Sequence, residues 1–458
     1  MSTLDPRNPT QAEPLRALDA HELALLLGAT EPTRELPAIY GASHHSGRIQ
    51  PGDAFFALPG ADHHGIEHAE AALEAGASLI VSDQPHERGL QVDDPGAAML
   101  TLGRWARRHF TGTVVGITGS AGKTTARGLL AATLDAHAAT GNLNTPHAIA
   151  GLLLRVWSRD DGRPFVVEMG IDHIGEMDVL THLVTPDVGL LTAIAPSHLD
   201  GFGDVATVAR EKSKLLHQTP HPFAALSAWR QLDQDLANRT APYFLDDEDL
   251  TAPPAPPRDA WRGTLIGTPL SPSVTVTPPH GDATDEVPLP GVGRGLAESA
   301  VGCLAIAHHL GIDLHDAATR LATASIEPGR LRILERDGFM LIDDAYNANP
   351  ASMTQALALL QAAPRPHVAL LGEMRELGVE ADAHHEALGV ATRELDRVAF
   401  RGDHAAAVQR GNPNVETLDE AGMLRLARTL PREGTILVKA SRSLQFERLV
   451  DVLLEDPA

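Results

Sequence analysis

The chain has 458 residues, which is too long for a single hydrophobic core and suggests about three domains. Its formal net charge of −23 excludes a broad basic surface for nucleic acid, although a local cluster of cations can still bind an anionic substrate. A single cysteine, Cys303, excludes a disulfide framework and indicates a reducing, cytoplasmic compartment. No apolar run approaches the ~20 residues of a membrane span, and the polar N-terminus is unlike a signal peptide.

The first part of the chain predicts a small α/β domain behind a flexible start. Residues 1–16 are rich in proline and polar residues, and we expect them to be flexible. Residues 17–110 alternate apolar strands with amphipathic helices. The predicted elements are a helix at 21–27, a strand at 53–58, a helix at 68–75 and a strand at 78–81.

Residues 111–325 predict a central domain built on a parallel sheet. Short, almost continuous apolar runs at 165–167 and 188–192 are typical of strands covered on both faces by helices. Ligands of such sheets bind at the carboxyl ends of the strands. The prolines between residues 251 and 290 indicate irregular structure or a β-hairpin, and a helix is predicted at 295–310, with Cys303 inside it as a buried small residue.

The most informative segment follows the apolar run 113–115. It comprises Gly119, Ser120, Ala121, Gly122, Lys123, Thr124 and Thr125, and a helix-forming run at 126–132 comes next. In such a strand–loop–helix unit the glycines let backbone N–H groups approach phosphates, Lys123 supplies a positive charge, and the Thr124 hydroxyl can bind Mg²⁺. A simple turn between strand and helix is the alternative, but a lysine and two threonines in this register favour nucleotide binding.

Two further residues follow predicted strands of the same sheet. Glu168 comes directly after the run 165–167, where a carboxylate can hold Mg²⁺ against bound phosphates. The alternative for Glu168 is a helix-capping or solvated acid. His198 follows the run 188–192 by a few residues, and without further context it is more simply a surface or packing histidine.

The last block, residues 326–458, predicts a second α/β unit with Rossmann-like alternation. Its predicted strands and helices alternate as the parallel arrangement requires. They are strands at 339–342, 368–371 and 435–438, and helices at 352–362 and 444–454.

Several motifs occur together in one order along the chain. They are Thr118–Thr125, Gly141–Asn144, Glu168–Gly170, Ser197–Gly203, Asp343–Met353, Leu371–Gly378 and Val438–Arg442. In this combination the chain resembles the Mur ligase family over about residues 38–455. The resemblance implies three α/β domains: a UDP-substrate-binding domain, a central ATPase and a C-terminal Rossmann-like domain.

The resemblance also implies the reaction. Family members activate a carboxylate with ATP as an acyl phosphate, which an amine then attacks to give an amide. The C-terminal motifs resemble those of members that add D-Ala-D-Ala to a UDP-N-acetylmuramoyl (UDP-MurNAc) tripeptide in peptidoglycan synthesis. The implied cofactors are ATP, two Mg²⁺ ions and a carbamylated Lys212, and we expect a cytoplasmic monomer.

Carried over by position, the resemblance gives each site residue a role. The implied catalytic residues are Lys123, Lys212 and His198. The implied ATP-binding residues are the loop 119–125 with Arg330, Asp343 and Asn347, while Asp344 would grip ATP or the acceptor. The implied metal ligands are Thr124, Glu168, His198 and Lys212 as its carbamate. The implied substrate-binding residues are Ser46, Asn142, Asn144, Asn349, His385, Lys439, Ser441 and Arg442.

The sequence departs from the family pattern at both recognition ends, and alternatives stay open. The uridine-end motif reads His45-Ser46-Gly47, and the adenine-end motif reads Gly293–Ala297. A ligase of the same family that adds one amino acid, or that uses another carboxylate, is therefore the second hypothesis. A nucleotide-binding scaffold without catalysis is the third, but it predicts losses among Lys123, Glu168, His198 and Lys212, and all four are present. Without the resemblance, Lys212 would be interpreted as a solvated helix charge.

Overall fold

The structure is a computed structural model that describes residues 16–30, 35–60, 63–139, 141, 143–246, 252–336 and 338–455. Of the predicted flexible residues 1–16, all but Arg16 lie outside the described residues, as does Asn142, whereas Arg16 is hydrogen-bonded to Trp157 O and Ser158 O. Packing divides the chain into two compact units. The first comprises residues 1–118, 134–191 and 211–223, and the second comprises residues 119–133, 192–210 and 224–458. The domain boundaries at residues 110 and 325 stay a prediction.

The described helices and strands alternate along the chain. The α-helices are α1 (Ala20–Leu27), α2 (Ala69–Glu74), α3 (Pro95–His109), α4 (Lys123–Thr133), α5 (Pro146–Arg159), α6 (Glu176–Val184), α7 (Leu199–Phe202), α8 (Val205–His217), α9 (Leu226–Trp229), α10 (Gln234–Arg239), α11 (Arg294–His309), α12 (Leu314–Ala322), α13 (Pro350–Gln361), α14 (Ala381–Ala391), α15 (Ala405–Gly411), α16 (Glu420–Thr429) and α17 (Glu447–Leu454). The strands are β1 (Gly41–Ser43), β2 (Asp53–Phe56), β3 (Leu79–Ser82), β4 (Gly89–Gln91), β5 (Val114–Thr118), β6 (His137–Ala138), β7 (Phe165–Glu168), β8 (Val188–Leu191), β9 (His221–Ala225), β10 (Ala241–Leu245), β11 (Trp261–Thr268), β12 (Ser271–Thr277), β13 (Val287–Pro288), β14 (Arg332–Arg336), β15 (Phe339–Asp344), β16 (His367–Gly372), β17 (Arg397–Arg401), β18 (Glu416–Thr417) and β19 (Gly434–Lys439). None of these described helices combines the length and apolar character that a membrane crossing needs.

The first unit contains two sets of parallel strands. β1 to β4 form a sheet in chain order, and β8, β5, β7 and β6 pair in that order. Every residue of β5, β7 and β8 is buried, as the continuous apolar runs predicted. α3 and α5 approach so closely that a Cβ on Gly103 would lie 2.7 Å from Ala150 Cβ.

The second unit contains a β-hairpin and the C-terminal sheet. β11 and β12 pair antiparallel, so the prolines after residue 251 flank a hairpin, one of the two structures expected there. α4 packs against α11 and α12. In the C-terminal block the strand order is β14-β15-β19-β16-β17-β18, and only β14 is antiparallel to its neighbour. Cys303 is fully buried, as expected, and burial raises the pKa of its thiol.

Several strands are longer than the sequence predicted, which changes the setting of three acidic residues. Glu168 is the last residue of β7 instead of the residue after it. Asp343 and Asp344 are the last residues of β15 and are buried. These carboxylates are therefore held by strand backbone at the carboxyl ends of parallel strands, where ligands of α/β sheets bind.

Candidate active site

The loop between β5 and α4 has a shape that requires glycine. Gly119 has φ +153° and Gly122 has φ +80°. A Cβ on Gly119 would lie 2.1 Å from Thr192 Oγ1, which is far closer than any real contact. The glycines therefore allow the backbone to pass close to Thr192 at the start of α4, and the N-terminus of a helix is a position where proteins bind phosphates.

The segment that follows β8 braces this loop. Thr192 Oγ1 donates to Ala121 O at 2.5 Å, and Ser120 N donates to Ala193 O at 2.8 Å. Ser120 Oγ also donates to Ala195 O at 2.9 Å. Both the backbone and the side chains of the loop are therefore held by hydrogen bonds, and a loop that is held in its binding conformation loses less entropy when it binds a ligand.

Lys123 and Thr124 begin α4 at the end of the loop. Lys123 Nζ donates to Gly119 O at 2.6 Å, so its charge lies against the loop backbone. Thr124 is buried, and its Oγ1 accepts a hydrogen bond from Arg330 at 3.0 Å. Thr125, the next residue of α4, is partly buried. The structure therefore brings Arg330, predicted from the resemblance to bind ATP, to the predicted phosphate loop.

Arg330 is held in place by an aromatic ring that sequence reasoning did not single out. Its guanidinium lies 3.8 Å from the centre of the Tyr346 ring, and Arg442 lies 5.5 Å from the same ring. Arg330 Nε is buried and has no hydrogen-bond acceptor among the described residues. A buried guanidinium N–H without an acceptor, next to a glycine-rich loop, fits an anionic ligand such as a nucleotide phosphate. Tyr346 lies inside the motif 343–353, and this position could have identified it as a candidate site residue from the sequence.

Asp343 and the buried Asp344 shape the backbone around Arg330. Asp343 Oδ2 accepts from Gly329 N at 2.9 Å, and Asp344 Oδ1 accepts from Leu331 N at 3.1 Å. Asp344 also pairs with Lys439. Burial raises the pKa of Asp344, and the nearby positive charge of Lys439 opposes that rise. Both aspartates therefore act on the turn that carries Arg330.

Four residues predicted to bind ATP or substrate have structural partners in the C-terminal block. Lys439 is buried, paired with Asp344, and donates to Asn347 O at 2.9 Å. Asn349 caps α13 by accepting from Ser352 N at 2.8 Å. Asn347 Oδ1 accepts from Ala348 N at 2.9 Å. Arg442 Nη1 lies 2.7 Å from Glu447 Oε1, and both side chains are exposed. We therefore assign Lys439 and Asn349 first to holding the fold, which the sequence pattern alone could not distinguish from binding.

His385 and Ser441 are buried, and both accept hydrogen bonds from the backbone of the loop 373–377. His385 is fully buried, its Nε2 accepts from Met374 N at 3.0 Å, and its Nδ1 lies 2.7 Å from Ala381 O. Burial lowers the pKa of His385, so the ring is neutral at pH 7. Ser441 Oγ accepts from Arg375 N at 3.1 Å. The prediction that His385 lines the substrate site is corrected here: with both nitrogens engaged in the core, it positions the loop.

His198 meets that same loop. Its Nδ1 lies 2.7 Å from Glu376 Oε2, and this hydrogen bond is the main cause that lowers the pKa of Glu376. His198 has φ +50° and Glu376 has φ +64°, so both are left-handed. A left-handed non-glycine residue costs about 1–2 kcal/mol. A surface ion pair returns about 0–1 kcal/mol. The pair therefore does not stabilise the fold enough to explain the two backbone conformations.

In the first unit, Glu168 and Lys212 are both buried, and Lys212 is 1% exposed. The interpretation of Lys212 as a solvated helix charge is therefore wrong, since a lysine is buried only where the surroundings compensate its charge. Asn144 packs against Gly170, because a Cβ on that glycine would lie 2.5 Å from Asn144 Nδ2. The structure thus places Asn144 beside the strand end that carries Glu168.

A cavity of about 280 Å³ also lies in the first unit, bounded by the N-terminal sheet and α5. Its polar lining comes mainly from histidines and arginines, namely His44, His45, Arg48 and Arg155. Arg155 donates to Gln50 Oε1 at 3.0 Å and pairs with the buried Asp53. The His44 ring lies 5.7 Å from the His147 ring, and burial, followed by the charges of His147, His45 and Arg48, lowers the pKa of His44 to about 4. Ser46 does not line this cavity; it begins a short 3₁₀ turn beside it.

The predicted Mg²⁺ sites depend on the chemistry of the side-chain atoms that would bind the ion. Among the described residues, no three histidine, cysteine, aspartate or glutamate side chains cluster as a complete metal cage. Mg²⁺ usually takes one or two protein oxygen ligands with water and substrate phosphates, and it is seldom caged by protein alone. A threonine hydroxyl at the phosphate loop and a carboxylate at a strand end are donors of this kind.

Comparison with known proteins decides the family. The profile of the Mur ligase middle domain matches residues 117–292, and the profile described as "Mur ligase, glutamate ligase domain" matches residues 329–442. The UDP-N-acetylmuramoyl-tripeptide–D-alanyl-D-alanine ligase of Escherichia coli is 30% identical over 428 residues, which cover 89% of this chain and 92% of that protein. The chain belongs to the Mur ligase family. The resemblance predicted from the motifs is therefore confirmed.

Solved Mur ligase structures share the fold. A crystal structure of MurF from Acinetobacter baumannii superposes with a TM-score of 0.82 at 25% identity, covering 97% of this chain and all of that one. MurF ligase from Thermotoga maritima, solved in complex with ADP, has a TM-score of 0.74 at 24% identity over 90% of this chain and 96% of that chain, and this match concerns the fold alone. The predicted α/β class with three Mur ligase domains is confirmed. The middle-domain match contains Lys123, Glu168, His198 and Lys212.

Proposed function

We propose that this Mur ligase joins D-alanyl-D-alanine to UDP-MurNAc-tripeptide with the hydrolysis of ATP to ADP and phosphate, in the synthesis of peptidoglycan precursors. The observation that carries the proposal is the braced glycine loop with Lys123 at the start of α4 and Arg330 bonded to Thr124. The E. coli relative, which is named for this reaction, supports it over nearly the full length of both chains.

The reaction has two chemical steps. The terminal carboxylate of the tripeptide attacks the γ-phosphorus of ATP, so that a C–O–P linkage forms, the bond to the β-phosphate oxygen breaks, and ADP leaves. The amine of D-Ala-D-Ala then attacks the acyl carbonyl, a C–N bond forms, and inorganic phosphate leaves as the amine loses its proton. A free carboxylate is a poor electrophile, and the acyl phosphate supplies the leaving group that it lacks.

In the second unit, we assign phosphate binding to the loop N–H groups and Lys123. Lys123 carries the charge that the β- and γ-phosphates need, and Arg330 brings a second cation to Thr124. Asp343 and Asn347 act near ATP by shaping the turns around Arg330 and Tyr346. Thr124 and His198 are the proposed metal ligands of this unit. Bound Mg²⁺ would neutralise phosphate charge as the two anions meet.

In the first unit, we propose Glu168 as a metal ligand and Lys212 as a carbamate. Carbamylation adds CO₂ to the lysine nitrogen and gives an anionic oxygen ligand that a hard cation prefers. We propose that the histidine- and arginine-lined cavity binds the nucleotide end of the substrate, because its cationic and ring-bearing lining suits a diphosphate and a base. Asn144, Ser441, Arg442 and Asn349 stay proposed substrate contacts. The monomeric state and the cytoplasm also stay proposals, and light scattering of the purified protein tests the first.

A phosphate-release assay with Mg²⁺, ATP and UDP-MurNAc-tripeptide tests the reaction. We expect release that depends on D-Ala-D-Ala and equals the amount of UDP-MurNAc-pentapeptide formed. Release that requires one free amino acid instead would favour the second hypothesis, a Mur ligase that adds a single amino acid. No release with any acceptor would refute the proposal. Lys212→Ala and Lys212→Arg should both abolish turnover, since neither can be carbamylated, whereas Lys214→Ala in the same helix serves as the matched control.

A further inference from the structure

We infer that Glu376 is a positioning residue for His198: it accepts the Nδ1 proton of the imidazole and so leaves Nε2 with the lone pair that a divalent cation requires. This inference rests on the proposed function, in which His198 is a metal ligand. It assigns a role to a residue of the motif 371–378 that neither the site residues predicted from the sequence nor the proposed reaction includes.

The first argument is the geometry of the pair. His198 Nδ1 and Glu376 Oε2 are 2.7 Å apart, and the two residues are 178 positions apart in the chain. Six described non-glycine residues have positive φ, and two of them are the partners in this single contact. Strained backbone persists where the surrounding structure holds it, and it concentrates at functional sites. The strain here places one carboxylate against one ring nitrogen.

The second argument is the support behind Glu376. The two residues before it are fixed by buried side chains, since His385 Nε2 accepts from Met374 N at 3.0 Å and Ser441 Oγ accepts from Arg375 N at 3.1 Å. Burial lowers the pKa of His385 and so favours the neutral ring, whose Nε2 can accept a hydrogen bond. The loop is therefore held from the core at two consecutive N–H groups. His385 thus supports the loop that carries Glu376 from inside the core.

The chemistry follows from the two ring nitrogens of histidine. A neutral imidazole carries one proton, and a carboxylate at Nδ1 keeps the proton there. The other nitrogen is then unprotonated, more basic and fixed in direction, as in other carboxylate–histidine–metal arrangements. Because Glu376 lies in the C-terminal block and His198 follows the middle-domain sheet, the pair also makes metal affinity depend on the contact between these two segments.

The experiment compares Glu376→Ala, Glu376→Gln and His198→Ala in the full chain with ADP bound. Glu380→Ala is the matched control, because Glu380 also faces a histidine, His384, at 3.7 Å and is exposed. Mn²⁺ binding is measured from the free-ion electron paramagnetic resonance signal. The tautomer of His198 is measured in the metal-free protein by two-dimensional NMR of ¹⁵N-histidine, with the signal assigned by its absence in His198→Ala.

We expect Glu376→Ala to weaken Mn²⁺ binding about 10- to 100-fold and to shift His198 toward the Nε2–H tautomer. Glu376→Gln, which keeps an acceptor oxygen, should recover part of both effects, and Glu380→Ala should change neither. In the His198→Ala background, Glu376→Ala should have no further effect on Mn²⁺ binding. Unchanged affinity and tautomer in Glu376→Ala, with weakened binding in His198→Ala, would overturn this inference alone. Unchanged binding in His198→Ala would remove His198 from the proposed metal site, and the inference would fail with it.

Discussion

Alanine at Gly119 tests whether the phosphate loop owes its shape to the missing side chain. The added Cβ would meet Thr192 Oγ1 at 2.1 Å and the backbone N of Ala193 at 3.0 Å. The hydroxyl can rotate, but it would then lose its 2.5 Å bond to Ala121 O. A non-glycine residue at φ +153° adds strain of about 1–3 kcal/mol. If that strain falls on the nucleotide-binding conformation, it corresponds to roughly 5- to 150-fold in affinity.

Two neighbouring glycines provide graded comparisons. A Cβ on Gly122 would be 3.6 Å from Thr192 Cβ, an ordinary contact, so only the positive φ of +80° opposes alanine there. That strain is about 1–2 kcal/mol. Gly128 lies inside α4, and its Cβ would be 3.5 Å from Ser325 O. Alanine should stabilise the helix there by about 0.5–1 kcal/mol. The expected order of damage is Gly119→Ala, then Gly122→Ala, with Gly128→Ala neutral or favourable.

The assay pairs ATP affinity from calorimetry with the thermal unfolding midpoint. Both are needed because a strained loop can either destabilise the fold or relax into a conformation that no longer binds. Gly119→Ala with wild-type affinity and midpoint would refute the steric argument. Gly128→Ala as damaging as Gly119→Ala would show that any change near α4 disturbs binding, and the backbone argument would then have no support.

Two further predictions concern charged groups. Arg330→Ala should raise the KM for ATP roughly 10- to 100-fold, since a charged hydrogen bond from its buried Nε, which has no acceptor among the described residues, to a phosphate oxygen would contribute about 1.5–3 kcal/mol, and Arg330→Lys should recover only part because it cannot stack on Tyr346 in the same way. For His44, burial and the charge of His147 lower the pKa from 6.5 to about 4, so the folded state binds fewer protons than the unfolded state between these values. The contribution of His44 to the free energy of unfolding should therefore fall as the pH decreases from about 6.5 toward 4 and stay constant above that range, and denaturant titrations in which His44→Gln shows the same slope as the wild type between pH 4 and 6.5 would contradict this.

The sequence predicted the order of the elements well, because apolar periodicity reflects burial directly. The parallel strands 165–168 and 188–191 and the buried Cys303 followed from that pattern. The predicted ends of the strands were less accurate, because the acidic residues at 168 and 343–344 were interpreted as polar loop residues. In the structure, these acidic residues still pair with the neighbouring strand through their backbone. Pairing depends on the neighbouring strand, which a local pattern does not contain.

The site was predictable where chemistry depends on consecutive residues and less so where it depends on burial. The loop 119–125 needs only its own spacing, and the structure gives it the expected shape. His385 and Asn349 occur in motifs beside predicted ligand-binding residues, and in the structure His385 supports a buried loop while Asn349 caps a helix. Glu376 was missed because its partner, His198, is distant in sequence.

Lys212 shows that burial was partly readable from the sequence after all. Helical spacing places Val208, Leu215 and Leu216 on the same face of α8 as Lys212, at four positions before and three and four after it. All three are fully buried, and Lys212 is 1% exposed. A solvated lysine has no reason to occupy the apolar face of a helix, where placing an ammonium costs free energy that a leucine would not. Its position on that face therefore predicts that Lys212 is buried, and this argument is independent of the family resemblance that first drew attention to the residue.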